Sequence, residues 1–169
     1  PLDGGCDEGP GYWGRAGASL YDCLELLHSA TGGCIDVYDE PLIQNMGRYI
    51  YRVQIAERYH VNFADAAALV DSPPGVVYGF GRRIGDARMM QQGAWALQNQ
   101  ETIRHGAGYS LGRELPLLFS LEQMKTCSAT APLPRDTWLP AIQVMTARDE
   151  EGSDRGLYVA AKGGHNEES

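Results

Sequence analysis

The sequence predicts a mainly helical chain that ends in an antiparallel β-hairpin. Apolar residues recur at helical spacing in several segments up to about residue 124, and two β-prone runs follow on either side of an acidic turn. The composition changes between these two parts, at residues 126–136. With 169 residues, the chain can bury well over half of the surface that it exposes when unfolded, so it needs neither disulfides nor a structural metal to fold.

The first two helices are predicted from apolar stripes and from their end signals. One helix runs from residue 14 to about residue 30, where Gly32 and Gly33 favour a left-handed stop. The next starts near Asp39, a residue type that caps helices, and runs to residues 59–60. Its apolar face is the most regular in the chain and consists of Leu42, Ile43, Met46, Ile50, Val53 and Ala56.

A long surface loop is predicted at residues 62–85, because two adjacent prolines before a glycine exclude a continuous helix there. Asp86 then caps a third helix, which reaches about residue 99. A fourth helix covers about residues 111–124 and is interrupted by Pro116.

A linker is predicted at residues 126–136, which are rich in Ser, Thr, Ala and Pro. Two β-prone runs, 142–145 and 157–160, then flank an acidic turn and predict a hairpin. Because a lone two-stranded hairpin is marginal in water, we interpret residues 137–169 as the first strands of a larger sheet. The chain is thus divided into a helical part at residues 1–125, the linker and a sheet part.

The charge balance argues against two classes of partner. With 14 basic and 22 acidic side chains, the formal net charge is -8, which gives no diffuse attraction to nucleic acid or to an anionic membrane. No apolar run approaches the roughly 18 to 20 residues that cross a bilayer. We therefore predict neither a nucleic-acid nor a membrane partner. Since the chain begins at Pro1 without a signal-peptide pattern, we interpret it as part of a longer protein.

An acidic and aromatic motif precedes the first helix. Asp7 and Glu8 come before a Gly-Pro-Gly turn, and Tyr12 and Trp13 follow it. Aromatic faces stack on the C–H faces of pyranose rings and carboxylates accept hydroxyl hydrogen bonds, so this motif is typical of a sugar subsite. Alternatively, the aromatic side chains anchor the helix to the core and Glu8 favours the helix dipole.

A second candidate group lies where the second helix is predicted to end. Tyr59 can act as base and then as acid at a sugar carbon, while His60 or Asn62 neutralises the neighbouring carboxylate and stabilises the charge that develops. The alternative is a helix C-terminus at which His60 favours the dipole and Asn62 closes a turn.

Basic residues and a terminal histidine supply further candidates. Twelve of the 14 basic residues are Arg, whose forked donors match carboxylate or sulfate oxygens. Arg82 and Arg83 lie in the predicted loop and, with Arg15, are predicted to bind substrate; the alternative is ordinary solvated arginines. His165 and Asn166 follow two glycines that allow a ligand to approach closely. The four cysteines lack metal-ligand spacing, so we predict no metal site and interpret them as free thiols; the alternative is one disulfide in an exported protein.

Several of these motifs, in this order along the chain, resemble heparinase II/III-like polysaccharide lyases. They are Asp3-Gly4-Gly5, Glu8-Gly9-Pro10-Gly11-Tyr12-Trp13, Val61-Asn62-Phe63-Ala64-Asp65, and the run from Gly156-Leu157-Tyr158 to Lys162-Gly163-Gly164-His165-Asn166. The resemblance spans essentially the whole chain. It implies a partial α/α toroid of antiparallel helices, followed by a β-hairpin that begins an antiparallel β-sandwich.

The resemblance also implies an activity, β-elimination on heparin-, heparan- or alginate-like polysaccharides that contain uronic acid. Members of the family typically use a Tyr as base or acid, for which Tyr59 is the first choice and Tyr12 and Tyr78 are alternatives. Their motif glutamate corresponds to Glu8. The candidates for catalysis are therefore Tyr59, Glu8, His60 and His165, and those for substrate binding are Tyr12, Trp13, Arg15, Asn62, Arg82, Arg83 and Asn166.

Two departures from the family pattern affect this expectation. Residues 5–7 hold no His or Asn of the kind that related lyases often carry near the glutamate. The downstream His-rich strand, which binds a metal in some members, is absent. We expect the chain alone to be inactive, to use no cofactor within its own residues, and to come from a periplasmic or secreted protein. Helix faces that further toroid helices would cover are expected to favour self-association.

Two other functions stay open at this point. A toroid glycoside hydrolase would use two carboxylates, such as Glu8 and Asp65, as acid and base at roughly 6 to 9 Å for inversion. A non-catalytic glycan-binding module would use Tyr12 and Trp13 as a platform. Both differ from a lyase in their product, because only β-elimination leaves an unsaturated sugar.

Overall fold

The computed structural model describes residues 1–99 and 111–164. Within these ranges the chain combines five helices with two small antiparallel sheets, so the predicted combination of helices and a terminal hairpin is confirmed in this coarse form. The helices are α1 (Pro10–Ala30), α2 (Pro41–Arg52), α3 (Pro74–Arg83), α4 (Ala87–Asn99) and α5 (Leu111–Thr126). The strands are β1 (Gln54–Ala56), β2 (Tyr59–His60), β3 (Asp136–Leu139), β4 (Val144–Arg148) and β5 (Tyr158–Lys162).

The helix ends follow the predicted signals in part. α1 starts earlier than predicted, with a proline in its first position, and stops before Gly32, whose φ is 60°. Asp86 caps α4, since its Oδ1 accepts a hydrogen bond from the Met89 backbone N–H at 3.0 Å. Asp39 does not cap α2; Glu40 occupies that position and its side chain makes no capping hydrogen bond. Pro116 lies inside α5 without interrupting it.

The second predicted helix is too long. α2 ends at Arg52, and the chain turns into the β1–β2 hairpin, in which Gln54 pairs with His60. Tyr59 and His60 therefore lie on a strand and not at a helix C-terminus. The Gln54 side-chain amide closes the hairpin by donating to the carbonyl of Glu57, whose φ is 45°. Short apolar runs fit helical and strand spacing alike, and tertiary packing selects the strand here.

The predicted surface loop contains a buried helix, α3. Two prolines form its N-cap and its first residue, where the missing N–H of proline costs no helical hydrogen bond. Its three glycines weaken the helical signal in the sequence. They also let neighbouring helices approach closely: a Cβ at Gly79 would collide with the Tyr21 hydroxyl of α1, and one at Gly81 would lie 2.8 Å from the Met90 nitrogen of α4. Packing thus overrides a weak local preference.

One hydrophobic core joins the helices to the larger sheet. Trp13 of α1, Ile50 of α2 and Phe80 of α3 are fully buried, and they belong to the same cluster as Leu139 and Val144 of the sheet. This cluster extends across the predicted boundary between the helical part and the sheet part. A smaller cluster packs α5 against α3. No helix within the described ranges has both the length and the apolar character needed to span a membrane.

The larger sheet has the order β3-β4-β5, one strand more than the predicted hairpin. The predicted linker that leads to β3 is packed and not free: Leu133 is buried, and its carbonyl accepts a hydrogen bond from the Gly152 N–H at 2.9 Å. Inside the sheet, the buried Arg148 side chain connects several segments. Its guanidinium donates to four backbone carbonyls, those of Gln54, Ile55, Pro134 and Ser153.

Candidate functional site

Asp3 holds the N-terminal loop in a defined position. Its Oδ1 atom accepts a hydrogen bond from the Gly5 backbone N–H at 2.9 Å. Its Oδ2 atom accepts bonds from the N–H groups of Ala141 at 2.7 Å and Ile142 at 3.3 Å, in the turn between β3 and β4. The carboxylates that follow Asp3 in the loop therefore keep a fixed relation to the sheet.

A groove of about 450 Å³ lies along this loop and the start of α1. One wall is apolar: the Trp13 indole, whose Nε1–H donates to the Met46 carbonyl at 2.7 Å, lies beside Leu20 and Met46. Asp7 and Glu8 are exposed and contribute carboxylates to the lining. Apolar side chains together with hydrogen-bond acceptors suit the binding of a pyranose ring.

Three segments identified in the sequence meet beside the same loop. A cavity of about 10 Å³, room for one water molecule, is lined by residues from 6–10, by Val61 and Phe63, and by Lys162 at the end of β5. The contact is close: a Cβ on Gly9 would lie 3.0 Å from the Phe63 carbonyl oxygen. We call residues 6–10, 61–63 and 162 the convergence site.

Tyr59 and His60 point in opposite directions, as neighbours on a strand do. Tyr59 is 48% exposed, whereas His60 is 2% exposed. The His60 Nδ1 atom donates to the Arg58 carbonyl at 3.0 Å, and burial lowers the pKa of His60 to about 4. The imidazole is therefore neutral at pH 7 and faces the core, so it is not positioned to contact a polysaccharide.

The other aromatic candidates divide in the same way. Tyr12 is 37% exposed, whereas Trp13 is buried and anchors α1 through its hydrogen bond to α2. For Trp13 the geometry thus matches the anchoring alternative, although one edge of the ring borders the groove. Tyr78 is buried, and burial raises the pKa of its hydroxyl. Of the three tyrosines considered for catalysis, Tyr59 and Tyr12 are the ones a substrate can reach.

The predicted substrate-binding arginines do not line the groove or the small cavity. Arg82 and Arg83 lie in the last turn of α3 and not in a loop. Arg83 forms a forked ion pair with Glu25, at 2.6 Å from Nε to Oε1 and 3.0 Å from Nη2 to Oε2. Burial alone would raise the pKa of Glu25, but hydrogen bonds from Arg83 and Tyr38 lower it. Arg15 is exposed.

Asn62 and the end of β5 lie at the convergence site. Asn62 is exposed, and its neighbours Val61 and Phe63 both line the small cavity. His165 and Asn166 lie outside the described residues. The segment that leads to them leaves β5 at Lys162, and the Gly163 N–H donates to the Gln143 carbonyl at 2.7 Å.

The sequence analysis missed several residues that build this region. Asp3 precedes two glycines, a pattern typical of an Asx turn, and this signal was available. Tyr49 donates its hydroxyl to the Cys6 carbonyl at 3.3 Å, from a position 43 residues away in the chain. No sequence pattern marks that contact or the four-carbonyl role of Arg148, because both depend on tertiary packing.

Comparison of the chain with models of known protein families and with curated proteins finds no match. Within residues 1–99 and 111–164, no group of three or more His, Cys, Asp or Glu side chains is arranged to hold a metal ion. The four cysteines, Cys6, Cys23, Cys34 and Cys127, are free.

Proposed function

We propose that this chain forms part of a polysaccharide lyase of the heparinase II/III-like type, which cleaves uronic-acid-containing polysaccharides by β-elimination. The observation that carries the proposal is the convergence site. Segments that lie far apart in the sequence and carry the resemblance to these lyases are packed around one small cavity. In this proposal the helices belong to an α/α toroid, and β3–β5 begin a β-sandwich.

The groove supports the choice of a carbohydrate ligand. Leu20 and Met46 offer apolar surface to the C–H face of a sugar ring, and Asp7 and Glu8 accept hydrogen bonds from its hydroxyls. The groove shares Cys6 and Asp7 with the small cavity. A sugar in the groove would therefore lie next to the convergence site.

Tyr59 is the proposed base because its hydroxyl is accessible on β2. With its hydroxyl ionised, the Tyr59 oxygen removes the proton from the carbon next to the uronic carboxylate, and Asn62 donates a hydrogen bond to that carboxylate and stabilises its developing charge. The C–H electron pair becomes the new C=C bond as the glycosidic C–O bond breaks. The leaving oxygen takes a proton from the protonated tyrosine, so the enzyme returns to its starting state.

An inverting glycoside hydrolase is the second candidate, and one contact favours it. The residue after Asp65, Ala66, packs on Gly9, since a Cβ on Gly9 would lie 2.5 Å from the Ala66 Cβ. Asp65 directly precedes Ala66, and Glu8 directly precedes Gly9, so the two carboxylates flank this contact. Both residues are exposed. Two carboxylates near one another are what acid and base catalysis of hydrolysis needs.

The proposal is tested by the product formed from heparan, alginate and chondroitin, each assayed separately. We expect a longer protein that carries this chain to produce the ultraviolet absorbance of unsaturated uronic ends. We expect the 169-residue chain alone to bind without turnover. Tyr59→Phe should abolish the product and Tyr12→Phe should retain it. New reducing ends without that absorbance would identify the hydrolase, and binding with no product in the longer protein would identify a glycan-binding module.

The remaining expectations belong to this proposal and rest on the resemblance. The partner is an acidic polysaccharide, and the location is the periplasm or the cell exterior. The chemistry proposed for Tyr59 and Asn62 uses no metal. The resemblance implies that a metal, in members that have one, binds to a part of the sandwich outside the described residues.

A further inference from the structure

We propose that one water molecule is bound inside the protein between β1 and β2, where it donates one hydrogen bond to Gln54 Oε1 and one to His60 Nε2. This inference is independent of the proposed function. Gln54 and His60 are direct cross-strand partners. Their side chains are 0% and 2% exposed, and these two atoms have no hydrogen-bond partner among the residues that the structure describes.

Both atoms are hydrogen-bond acceptors. The His60 Nδ1 atom lies 3.0 Å from the Arg58 carbonyl, which can only accept, so Nδ1 carries the proton. In a neutral imidazole, Nε2 then presents a lone pair. The Gln54 amide nitrogen donates to the Glu57 carbonyl, which sets the orientation of the amide and leaves Oε1 at its other end.

Two acceptors cannot satisfy each other, whereas one water molecule can satisfy both. Directly paired residues on neighbouring strands point to the same face, with Cβ atoms about 4.5 to 5.5 Å apart. We place the single water on this shared face, between the two side chains. Buried waters bond to otherwise unpaired polar groups such as these.

The surroundings favour water over a cation. The Arg148 guanidinium, a positive charge, donates to the Gln54 backbone carbonyl at 2.7 Å. In the part of the chain that the structure describes, His60 belongs to no cluster of potential metal ligands. His60 is therefore a positioning residue: with the water, it attaches β2 to β1 and so sets the place of its neighbour Tyr59.

Two measurements on the unmodified chain test the water directly. In a crystal structure that resolves other internal waters, we expect a density peak within hydrogen-bond distance of Gln54 Oε1 and His60 Nε2. In ¹⁵N NMR spectra of labelled histidine, we expect the tautomer with the proton on Nδ1. A missing peak at that position, or a proton on Nε2 at pH 7, would overturn the proposal.

A mutant cycle adds an independent test. His60→Phe and Gln54→Leu each leave one acceptor without its water, so each should raise the unfolding constant roughly tenfold. The double variant should raise it clearly less than the product of the two, because both acceptors of the water are then removed. Gln92→Leu is the matched control, since Gln92 is a second buried glutamine with an unpartnered Oε1. In the double variant of Gln92 and His60, the two increases in the unfolding constant should multiply. If the increases for Gln54 and His60 multiplied in the same way, the shared water would be contradicted. If a variant does not fold, the density peak decides.

Discussion

The Asp3 carboxylate accepts a hydrogen bond from the Ala141 backbone N–H at 2.7 Å and joins two segments that are 138 residues apart. The same side chain also bonds to Gly5 and Ile142. One residue thus connects the loop that carries Asp7 and Glu8 to the larger sheet. The geometry of the groove depends on this connection.

Asp3→Ala should therefore destabilise the protein. The variant leaves backbone N–H groups without their charged acceptor, which we expect to lower the free energy of unfolding by roughly 1.5–3 kcal/mol. Urea denaturation measures the change. Asp136→Ala is the control, since this exposed aspartate on β3 should change stability by less than about 0.5 kcal/mol. Equal effects of the two substitutions would show that Asp3 does not hold the loop.

Gly9→Ala should disrupt the convergence site. Gly9 has a φ of 95°, and an added Cβ would also collide with Ala66. The backbone strain alone should cost roughly 1–3 kcal/mol of stability. Gly11→Ala is the matched control, because its added Cβ meets nothing within 4 Å and its helical position tolerates alanine. Thermal unfolding of both variants checks the prediction, which fails if Gly9→Ala is as stable as Gly11→Ala.

Asp86 should contribute stability that is lost in acid. Burial alone would raise the pKa of Asp86, but hydrogen bonds from Arg48, the Met89 N–H and Tyr51 hold it below its usual value. Its contribution is therefore complete above the pKa of the unfolded chain and disappears as the pH falls through the lower folded value. Asp86→Asn should cost about 1–2 kcal/mol at pH 7 and much less in strong acid.

Asp39→Asn provides the control for that experiment. The sequence predicts Asp39 as the cap of α2, but the cap position is occupied by Glu40, so Asp39 has no capping role. Its replacement should leave stability nearly unchanged at every pH. Denaturant midpoints for both variants at neutral and acidic pH make the comparison, and a loss of similar size from Asp39→Asn would contradict it.

His60 should make the protein less stable between pH 6.5 and about 4. Burial lowers the pKa of His60 from 6.5 to about 4, so the unfolded chain takes up a proton at a higher pH than the folded protein does. Stability is complete above pH 6.5 and decreases as the pH falls, by about 3 kcal/mol for this shift. His60→Phe should remove this part of the pH dependence. His28→Gln, at a partly exposed histidine, should retain it; an unchanged profile in His60→Phe would refute the assignment.

The outer face of α5 should cause self-association. Leu111, Leu118 and Phe119 are 73%, 60% and 82% exposed on this helix, and exposed apolar faces of this kind mark interaction surfaces. Phe119→Glu should weaken self-association at least about tenfold, as expected for a lost aromatic contact. Leu157→Glu, at an exposed leucine outside α5, should not. Sedimentation velocity of the two variants decides, and a chain that stays monomeric at all concentrations would exclude the interaction.

The elements that the sequence predicts well are those with a local signal. α1 and α4 have clear end signals, and the two predicted strands appear as β4 and β5. α3 was missed because its glycines weaken helix propensity and its stability comes from contacts with α1, α4 and α5. β1 and β2 were absorbed into a helix because three-residue and two-residue strands are too short to show a period.

The site was predictable to a similar extent. The segments around Glu8 and Asn62 were identified from their residue types, and the structure brings them together. The roles of individual side chains depend on which way they face, which a sequence does not reveal on short strands or at helix starts. Trp13 and His60 are buried, and Arg83 is paired with a glutamate 58 residues away. None of these placements has a local signature.

The most direct test of the central claim is an NMR titration of the ¹⁵N-labelled chain with a uronic-acid oligosaccharide. If the convergence site and its groove bind the sugar, amide shifts should change together and saturably at residues 6–9, 61–63 and 162. The Trp13 indole N–H should move with them, and Gly9→Ala should abolish the response while Gly11→Ala retains it. Shifts confined to the exposed arginines, or no saturable shift in any of the three segments, would contradict the account.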